Sequence, residues 1–88
     1  MKIIEVQFDG HVKIPGGQRL TNVLRVKGET SLGPDVIVEA LTEDEVGVFA
    51  TKVIEKDGMR VRYRKRFPWV SITEVAYEPE PLEEKKRP

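Results

Sequence analysis

The 88-residue chain has no cysteine, a single tryptophan and a single histidine. Without cysteine it cannot form disulfides, thiolate zinc sites or a cysteine nucleophile. It also lacks any apolar run approaching the roughly 20 residues of a membrane-spanning helix. Glu5 comes too early for the apolar core of a signal peptide. These absences predict a cytoplasmic protein with no membrane partner.

The short length also limits the possible chemistry. A chain of this size forms one small domain and buries only about 60–65% of the surface that its unfolded form exposes. Such a core leaves little room for an enclosed active site. The single histidine, His11, falls beside a predicted turn on the solvent face, and the acidic run 43–45 lacks the ligand spacing of a calcium loop. We therefore expect a non-enzymatic protein without a cofactor or a metal.

Charged residues are abundant, at 34% of the chain, and the formal net charge is zero. The charges are segregated, because residues 35–45 and 74–84 each carry five acids whereas residues 60–66 carry five bases. Zero net charge argues against nonspecific adhesion to nucleic acid, but the segregation leaves room for a local basic patch. Many charges with few Asn and Gln residues are also typical of thermophile proteins.

The most informative pattern is an alternation of arginine with other residues between positions 59 and 67. Successive side chains of a β-strand project to opposite faces, so these arginines would share one face while Val61 and Tyr63 occupy the other. Their positive charge indicates an anionic partner, which lies either in another molecule or in the protein itself. This arginine stripe consists of Arg60, Arg62, Arg64 and Arg66.

Turn signals divide the chain into short strands. Asp-Gly pairs at residues 9–10 and 57–58 lie between alternating runs and predict two β-hairpins. Matching of apolar faces favours a three-residue loop in each hairpin, with the glycine left-handed in a bulge. The resulting pairs are Val6 with Val12 and Val53 with Val61.

Other β-branched runs predict strands at residues 23–27, 36–41 and 72–78, separated by loops at 15–17 and 28–35. Short turns are expected at residues 42–45 and 68–71. Six to seven short strands predict an all-β domain over residues 1–78, as a small antiparallel barrel or a sandwich. Residues 79–88 alternate Pro with Glu and then become highly charged, which is typical of a solvated tail.

The segment Arg-Phe-Pro-Trp-Val-Ser-Ile-Thr-Glu-Val at residues 66–75 resembles the end of Src-homology-type and Sm-like barrels. In those barrels a long hairpin arm runs into a proline-containing single turn, and the last strand returns to pair with the first. The resemblance covers about ten residues and implies this architecture as one possibility. It carries over no functional residues.

Strand order decides whether the arginine stripe is available to a partner. In a plain meander the last two strands pair, and Glu74 and Glu78 would neutralise part of the stripe. If the last strand pairs with the first instead, the stripe has no acid beside it in the predicted register. Its neighbours would then be Val48, Ala50, Lys52 and Ile54.

Two functions fit this pattern. The first is a protein-interaction or assembly module, of a viral or regulatory kind, that binds a protein partner or another copy of itself through its charged blocks. The second is a nucleic-acid-binding module, because same-face residues about 6.7 Å apart approach the spacing of phosphates along an extended strand. Trp69 would add an exposed aromatic at the end of the stripe or, alternatively, close the core as a lid. Zero net charge favours the first function.

Overall fold

The computed structural model describes residues 1–26 and 33–82, which form two antiparallel sheets of three strands each. The strands are β1 (Ile3–Lys13), β2 (Leu20–Arg25), β3 (Ala40–Glu43), β4 (Gly47–Lys56), β5 (Met59–Pro68) and β6 (Ile72–Tyr77). One sheet has the order β2-β1-β6 and the other the order β3-β4-β5. The described ranges contain no α-helix and only two 3₁₀ turns, Pro34–Val36 and Trp69–Ser71. The prediction of an all-β fold is confirmed.

Strand β1 is one continuous strand where the sequence predicted a hairpin. The chain passes through Asp9-Gly10 without reversing, so that prediction is wrong. Between Gln7 and Val12, four residues of β1 lie opposite one residue of β2. Gly10 has a φ of 90°, which supplies the left-handed backbone of this bulge. The Asp-Gly pair therefore bends a strand that is paired on both of its edges.

The second predicted hairpin is confirmed, but its register differs by one residue. Asp57 and Gly58 have φ values of 52° and 76°, and two successive positive values indicate a two-residue type I′ turn. This turn type fits the right-handed twist of the flanking strands, which explains why it replaces the predicted three-residue loop. Val53 consequently pairs with Arg62 and not with Val61. The predicted neighbours Val48, Ala50, Lys52 and Ile54 are wrong; in β4 the arginines lie opposite Phe49, Thr51, Val53 and Glu55.

The last strand pairs with the first. Ile3 lies opposite Tyr77, and β5 and β6 belong to different sheets that are joined by the turn Trp69–Ser71. This is the connection that the resemblance at residues 66–75 implied. Glu74 lies opposite Gln7 of β1, and the backbone N–H of Glu78 donates to the carbonyl of Lys2. The meander in which Glu74 and Glu78 neutralise the stripe is therefore wrong.

The inner faces of the two sheets pack against a shared hydrophobic core. The rings of Phe8 in β1 and Phe67 in β5 have centroids 4.7 Å apart, and Leu24 and Val48 are completely buried. A polar contact joins the sheets as well, because the Tyr77 hydroxyl donates a hydrogen bond to the Glu43 carboxylate at 3.0 Å. This hydrogen bond raises the pKa of Tyr77.

The remaining predictions differ from the structure mainly at element boundaries. The predicted strand at residues 36–41 is reduced to β3, preceded by a 3₁₀ turn and a single bridge between Arg25 and Ile37. Much of the predicted loop at residues 28–35 lies outside the described residues. Residues 79–82 have no regular secondary structure, and the rest of the predicted tail also lies outside the described ranges.

Candidate interaction surface

The arginine stripe lies on the outer face of the β3-β4-β5 sheet. All its members are exposed, whereas the residues between them are half-buried. This alternation follows the period of two in the sequence, because β5 packs its other face towards the core. Among residues 1–26 and 33–82, strand β5 pairs only with β4 and is therefore an edge strand there.

In the middle of the stripe, Arg62 forms a two-point ion pair with Glu39. Its Nε lies 2.9 Å from Oε1 and its Nη2 lies 3.3 Å from Oε2. The backbone N–H of Glu39 donates to the carbonyl of Thr51 at 2.7 Å, which fixes this acid beside β4. The hydrogen bond from Arg62 lowers the pKa of Glu39. The stripe is thus partly neutralised by the segment that leads into β3.

At the Pro68 end of β5, Arg66 is held by a turn and by an aromatic ring. Its Nη2 lies 2.8 Å from Oδ2 of Asp44, and its guanidinium lies 5.4 Å from the centre of the Phe49 ring. The other carboxylate oxygen of Asp44 accepts hydrogen bonds from the N–H groups of Val46 and Gly47 at 2.8 and 3.1 Å. These two hydrogen bonds lower the pKa of Asp44, and the one from Gly47 has the larger effect. One acid therefore shapes the β3–β4 turn and fixes Arg66.

Gly47 allows the two strands to meet closely at this turn. A Cβ at this position would overlap the carbonyl oxygen of Phe67 and would lie 2.8 Å from the Cα of Pro68. Both neighbours are backbone atoms, which cannot move aside as a flexible side chain can. The base of the hairpin therefore requires glycine here.

Trp69 contacts the same turn and is partly exposed. Its indole N–H donates to the carbonyl of Asp44 at 3.0 Å, and its backbone N–H donates to the carbonyl of Val46 at 3.1 Å. The side chain keeps 37% of its surface exposed, and Val46 and Val70 keep 53% and 90%. Trp69 is thus neither a fully buried lid nor a free stacking platform. We call Val46, Trp69 and Val70 the apolar corner; sequence reasoning identified only its tryptophan.

The other two arginines of the stripe are less closely held, although the charge of Arg60 contributes to the lowered pKa of Glu39. Within the described residues, neither Arg60 nor Arg64 forms an ion pair, although Arg60 lies opposite Glu55 in the ladder. They are four positions apart on one strand face, which corresponds to about 13 Å. A shallow concavity of about 230 Å³ lies beside Arg60 and is lined by Val53, Arg60 and Arg62. Paired and unpaired arginines therefore alternate along the stripe.

The acids that meet the stripe come from a different block than the predicted one. Glu74 and Glu78 were the partners predicted for a plain meander, whereas Glu39 and Asp44 are the observed ones. Both belong to the acidic block at residues 35–45, which immediately precedes the β4–β5 hairpin. Antiparallel pairing of β3 with β4 brings this block back beside the arginines. The position of this acidic block just before the hairpin was the sequence signal that could have identified these acids.

A second shallow pocket, of about 180 Å³, lies where β1 and β2 diverge. His11, Arg19 and Asn22 contribute to its lining. His11 is exposed, as the sequence predicted, and Arg19 is engaged in an ion pair with Asp35. Across residues 1–26 and 33–82, no three His, Cys, Asp or Glu side chains are arranged to hold a metal ion.

The described part of the chain contains no helix long and apolar enough to cross a membrane. No protein-family model, curated protein or solved structure matches this chain. The arginine stripe and the apolar corner form one continuous candidate surface, because Asp44 contacts both Arg66 and Trp69.

Proposed function

We propose that this protein is a non-enzymatic interaction or assembly module that binds an acidic surface of a protein partner through the arginine stripe and the apolar corner. The observation that carries the proposal is their contiguity at the Asp44 turn, where Arg66 and Trp69 contact the same residue. Protein interfaces commonly combine Arg and aromatic side chains with exposed apolar area, and a few such residues carry most of the binding energy.

The charge distribution supports a local and specific contact. Neither Arg60 nor Arg64 forms an ion pair within the part of the chain that the structure describes, whereas the net charge of the chain is zero. Complementary charges between partners increase the association rate and select against wrong partners. A neutral protein with one basic stripe would therefore bind acidic groups through that stripe and not through its surface as a whole.

We also propose that the two sheets form a small, partly open barrel of the Src-homology type. Three observations support this arrangement: the pairing of β6 with β1, the shared core, and the Arg25–Ile37 bridge that links the end of β2 to the segment before β3. In such a barrel the outer face of the β4–β5 hairpin lies outside the core and remains accessible.

The first experiment measures binding of a fluorescent polyglutamate peptide by anisotropy at low salt. The double variant Arg60→Gln/Arg64→Gln should weaken binding at least about tenfold, since it removes two charge-assisted contacts. The control Lys2→Gln/Arg19→Gln removes the same charge from other exposed positions and should leave binding within about twofold. Equal losses in the two variants would contradict a specific role for the stripe.

Sedimentation velocity identifies the type of partner. A mass above that of one chain, reduced to a monomer by Arg60→Gln/Arg64→Gln, would make the partner a second copy. A monomer that binds polyglutamate would point to a different acidic protein. A monomer that binds no acidic peptide would overturn the proposal.

Nucleic acid is the second candidate because the two unpaired arginines are separated by about 13 Å, close to two phosphate steps of an extended strand. This function predicts tighter binding to a single-stranded oligonucleotide than to polyglutamate of equal charge. With two phosphates neutralised, the log–log dependence of affinity on salt should have a slope of about −1.4. A weaker affinity for the oligonucleotide would exclude this candidate.

A further inference from the structure

The two edges of β5 differ in where they direct their backbone groups. In a two-residue hairpin the residues that flank the turn, here Lys56 and Met59, form a hydrogen-bonded pair, and such pairs recur at every second position. Odd-numbered residues of β5 therefore direct their N–H and C=O groups to β4. The even-numbered residues, which are the four arginines, direct theirs away from it.

Within the described residues, nothing pairs with this outward edge. Strand β5 has β4 as its single neighbour, and no backbone hydrogen bond outside the β4–β5 ladder involves the arginines. The same four residues thus present cationic side chains on the outer face and unpaired backbone groups along the edge. Unpaired strand edges accept further strands, and an exposed edge of this kind is a binding site in several peptide-recognition domains.

We propose that the edge from Arg60 to Arg64 accepts an extended acidic segment of a partner protein as an added antiparallel strand. This inference rests on the proposed function and specifies how the partner binds. Residues that exchange backbone hydrogen bonds in an antiparallel pair lie directly opposite each other, with Cα atoms about 5.5 Å apart. Each partner residue bonded to an arginine backbone therefore also places its side chain beside that arginine's guanidinium.

The same geometry excludes a second copy of β5 as the added strand. In every antiparallel register that pairs the two outward edges, arginines of one copy lie opposite arginines of the other. Like charges directly opposite each other destabilise a strand pair, and charged edges are a common protection against self-pairing. The arginine stripe would therefore disfavour pairing with β5 of a second copy and favour pairing with an acidic strand. The same four charges would thus prevent self-association along this edge and select the partner.

The alternation of paired and unpaired arginines defines a sequence preference for the partner. Arg62 already has Glu39, so the residue opposite it should be uncharged, whereas the residues opposite Arg60 and Arg64 should be acidic. The partner motif therefore has acids four positions apart with a small polar residue midway. The intervening residues lie on the side of Val61 and Tyr63, both half-buried, and should be apolar.

The docking region ends before Lys65. The ammonium of Lys65 donates to the carbonyl of Lys13 at 3.0 Å, which places the end of β1 beside this part of β5. On the face opposite the arginines, Gly16 lies against the ring of Tyr63. Three outward-facing residues, Arg60, Arg62 and Arg64, therefore form the site.

The direct test uses a capped synthetic peptide, Val-Glu-Val-Thr-Val-Glu-Val, and two N-methylated versions of it. Methylation of the threonine nitrogen removes an N–H that would bond to β5, whereas methylation of the valine nitrogen before it removes one that points away. Threonine methylation should weaken binding at least about tenfold, because it deletes a hydrogen bond and blocks close approach. Valine methylation should change affinity less than about threefold, the effect of small backbone preferences.

A matched pair of protein variants tests the same edge from the other side. Arg62→Ala and Arg62→Pro both remove the ion pair with Glu39. Only proline also removes the outward N–H, and it removes no bond to β4 because that N–H points away from the ladder. Arg62→Pro should bind the peptide at least about tenfold more weakly than Arg62→Ala. If Arg62→Pro does not fold, the methylated peptides still test strand addition, because they are measured with the unmodified protein.

Amide hydrogen exchange supplies the structural readout. In the bound protein, the amides of Arg60, Arg62 and Arg64 should gain protection. Equal affinity of parent and threonine-methylated peptides, together with loss of binding in Arg60→Gln/Arg64→Gln, would overturn strand addition and leave the proposed function standing. Failure of this peptide and of polyglutamate to bind at low salt would overturn both.

Discussion

The two ends of the β4–β5 hairpin carry the same residue type in different surroundings. At the base, Phe67 is 3% exposed and Val48 is fully buried, and Arg66 is held by Asp44. Towards the tip, Met59 is 67% exposed and Arg60 has no ion pair among the described residues. Base and tip belong to the same two strands, so their difference arises from what the rest of the chain packs against each end.

This comparison shows that a charge pattern in one strand does not define a uniform surface. Arg66 at the base is held by a turn, whereas neither Arg60 nor Arg64 forms an ion pair among the described residues. A site on a rigid element with a fixed base can hold its side chains in a defined geometry. The anchored base would in this way position the tip for binding.

The largest contrast is expected for apolar truncation at the two ends. Phe67→Ala removes a ring packed against Phe8 in the core and should lower the free energy of unfolding by about 3–5 kcal/mol. Met59→Ala, at the exposed tip, should change it by less than about 0.5 kcal/mol. Urea unfolding followed by circular dichroism measures both. If Phe67→Ala is unfolded in water, Phe67→Leu provides the measurable intermediate, and similar values for the Phe67 and Met59 variants would remove the distinction between base and tip.

Glycine substitutions should separate the two ends for a steric reason. Gly47→Ala forces a Cβ against the carbonyl of Phe67 and should lower the free energy of unfolding by about 3 kcal/mol. Gly58→Ala has open space around its Cβ but a φ of 76°, so we expect a loss of about 1–2 kcal/mol from left-handed strain alone. Thermal unfolding of the two variants compares them. An equal effect would show that the close approach at Gly47 relaxes easily.

Acid should weaken the base and the middle of the stripe. The pKa of Asp44 is lowered by hydrogen bonds from Gly47 and Val46, and that of Glu39 by the hydrogen bond from Arg62. As the pH falls, the unfolded chain binds protons first, so the stabilisation is complete above about pH 5, begins to fall near the ordinary carboxyl pKa values of about 4, and is lost as the pH passes through the lower folded-state values. Asp44→Asn and Glu39→Gln should each flatten the dependence of unfolding free energy on pH below about pH 5. Curves parallel to that of the unmodified protein would contradict this origin.

The smallest contrast concerns the arginines themselves. Arg66→Gln loses an ion pair and a contact with the Phe49 ring and should cost about 1 kcal/mol or less. Arg60→Gln should change the free energy of unfolding by less than about 0.5 kcal/mol. We expect it to weaken the binding of acidic peptides. Separate roles for the two ends would be contradicted if Arg66→Gln lowered stability more than Arg60→Gln did but weakened binding by as much.

The features that could be predicted from the sequence are those that depend on local periodicity. Alternation placed the arginines on one face because the period of a strand is independent of its partners. The register of the Asp57-Gly58 hairpin could not be settled by face matching, because it depends on the turn type that positive φ values at both residues permit.

Long-range pairing accounts for the other differences. The pair Asp9-Gly10 has the local signature of a hairpin, but β2 and β6 pair with β1 on its two edges and keep the strand continuous. The apolar corner depends on how the turn after Pro68 meets the turn at Asp44. Neither contact follows from local sequence. The sequence could not identify which acids of the chain pair with the arginines, because that depends on the sheet topology that brings Glu39 and Asp44 beside them.

The pairing of β1 with β6 has a consequence for synthesis on the ribosome. The β4–β5 hairpin closes through two residues, so it can form soon after Pro68 emerges from the ribosome. Ile3, in contrast, can pair with Tyr77 only after nearly the whole domain has been synthesised. Contacts distant in sequence form late because their loop-closure entropy must be overcome first. One edge of β1 therefore stays without its partner while most of the domain is translated. During that interval the nascent chain is most exposed to aggregation, and a chaperone that covers β1 would protect it best.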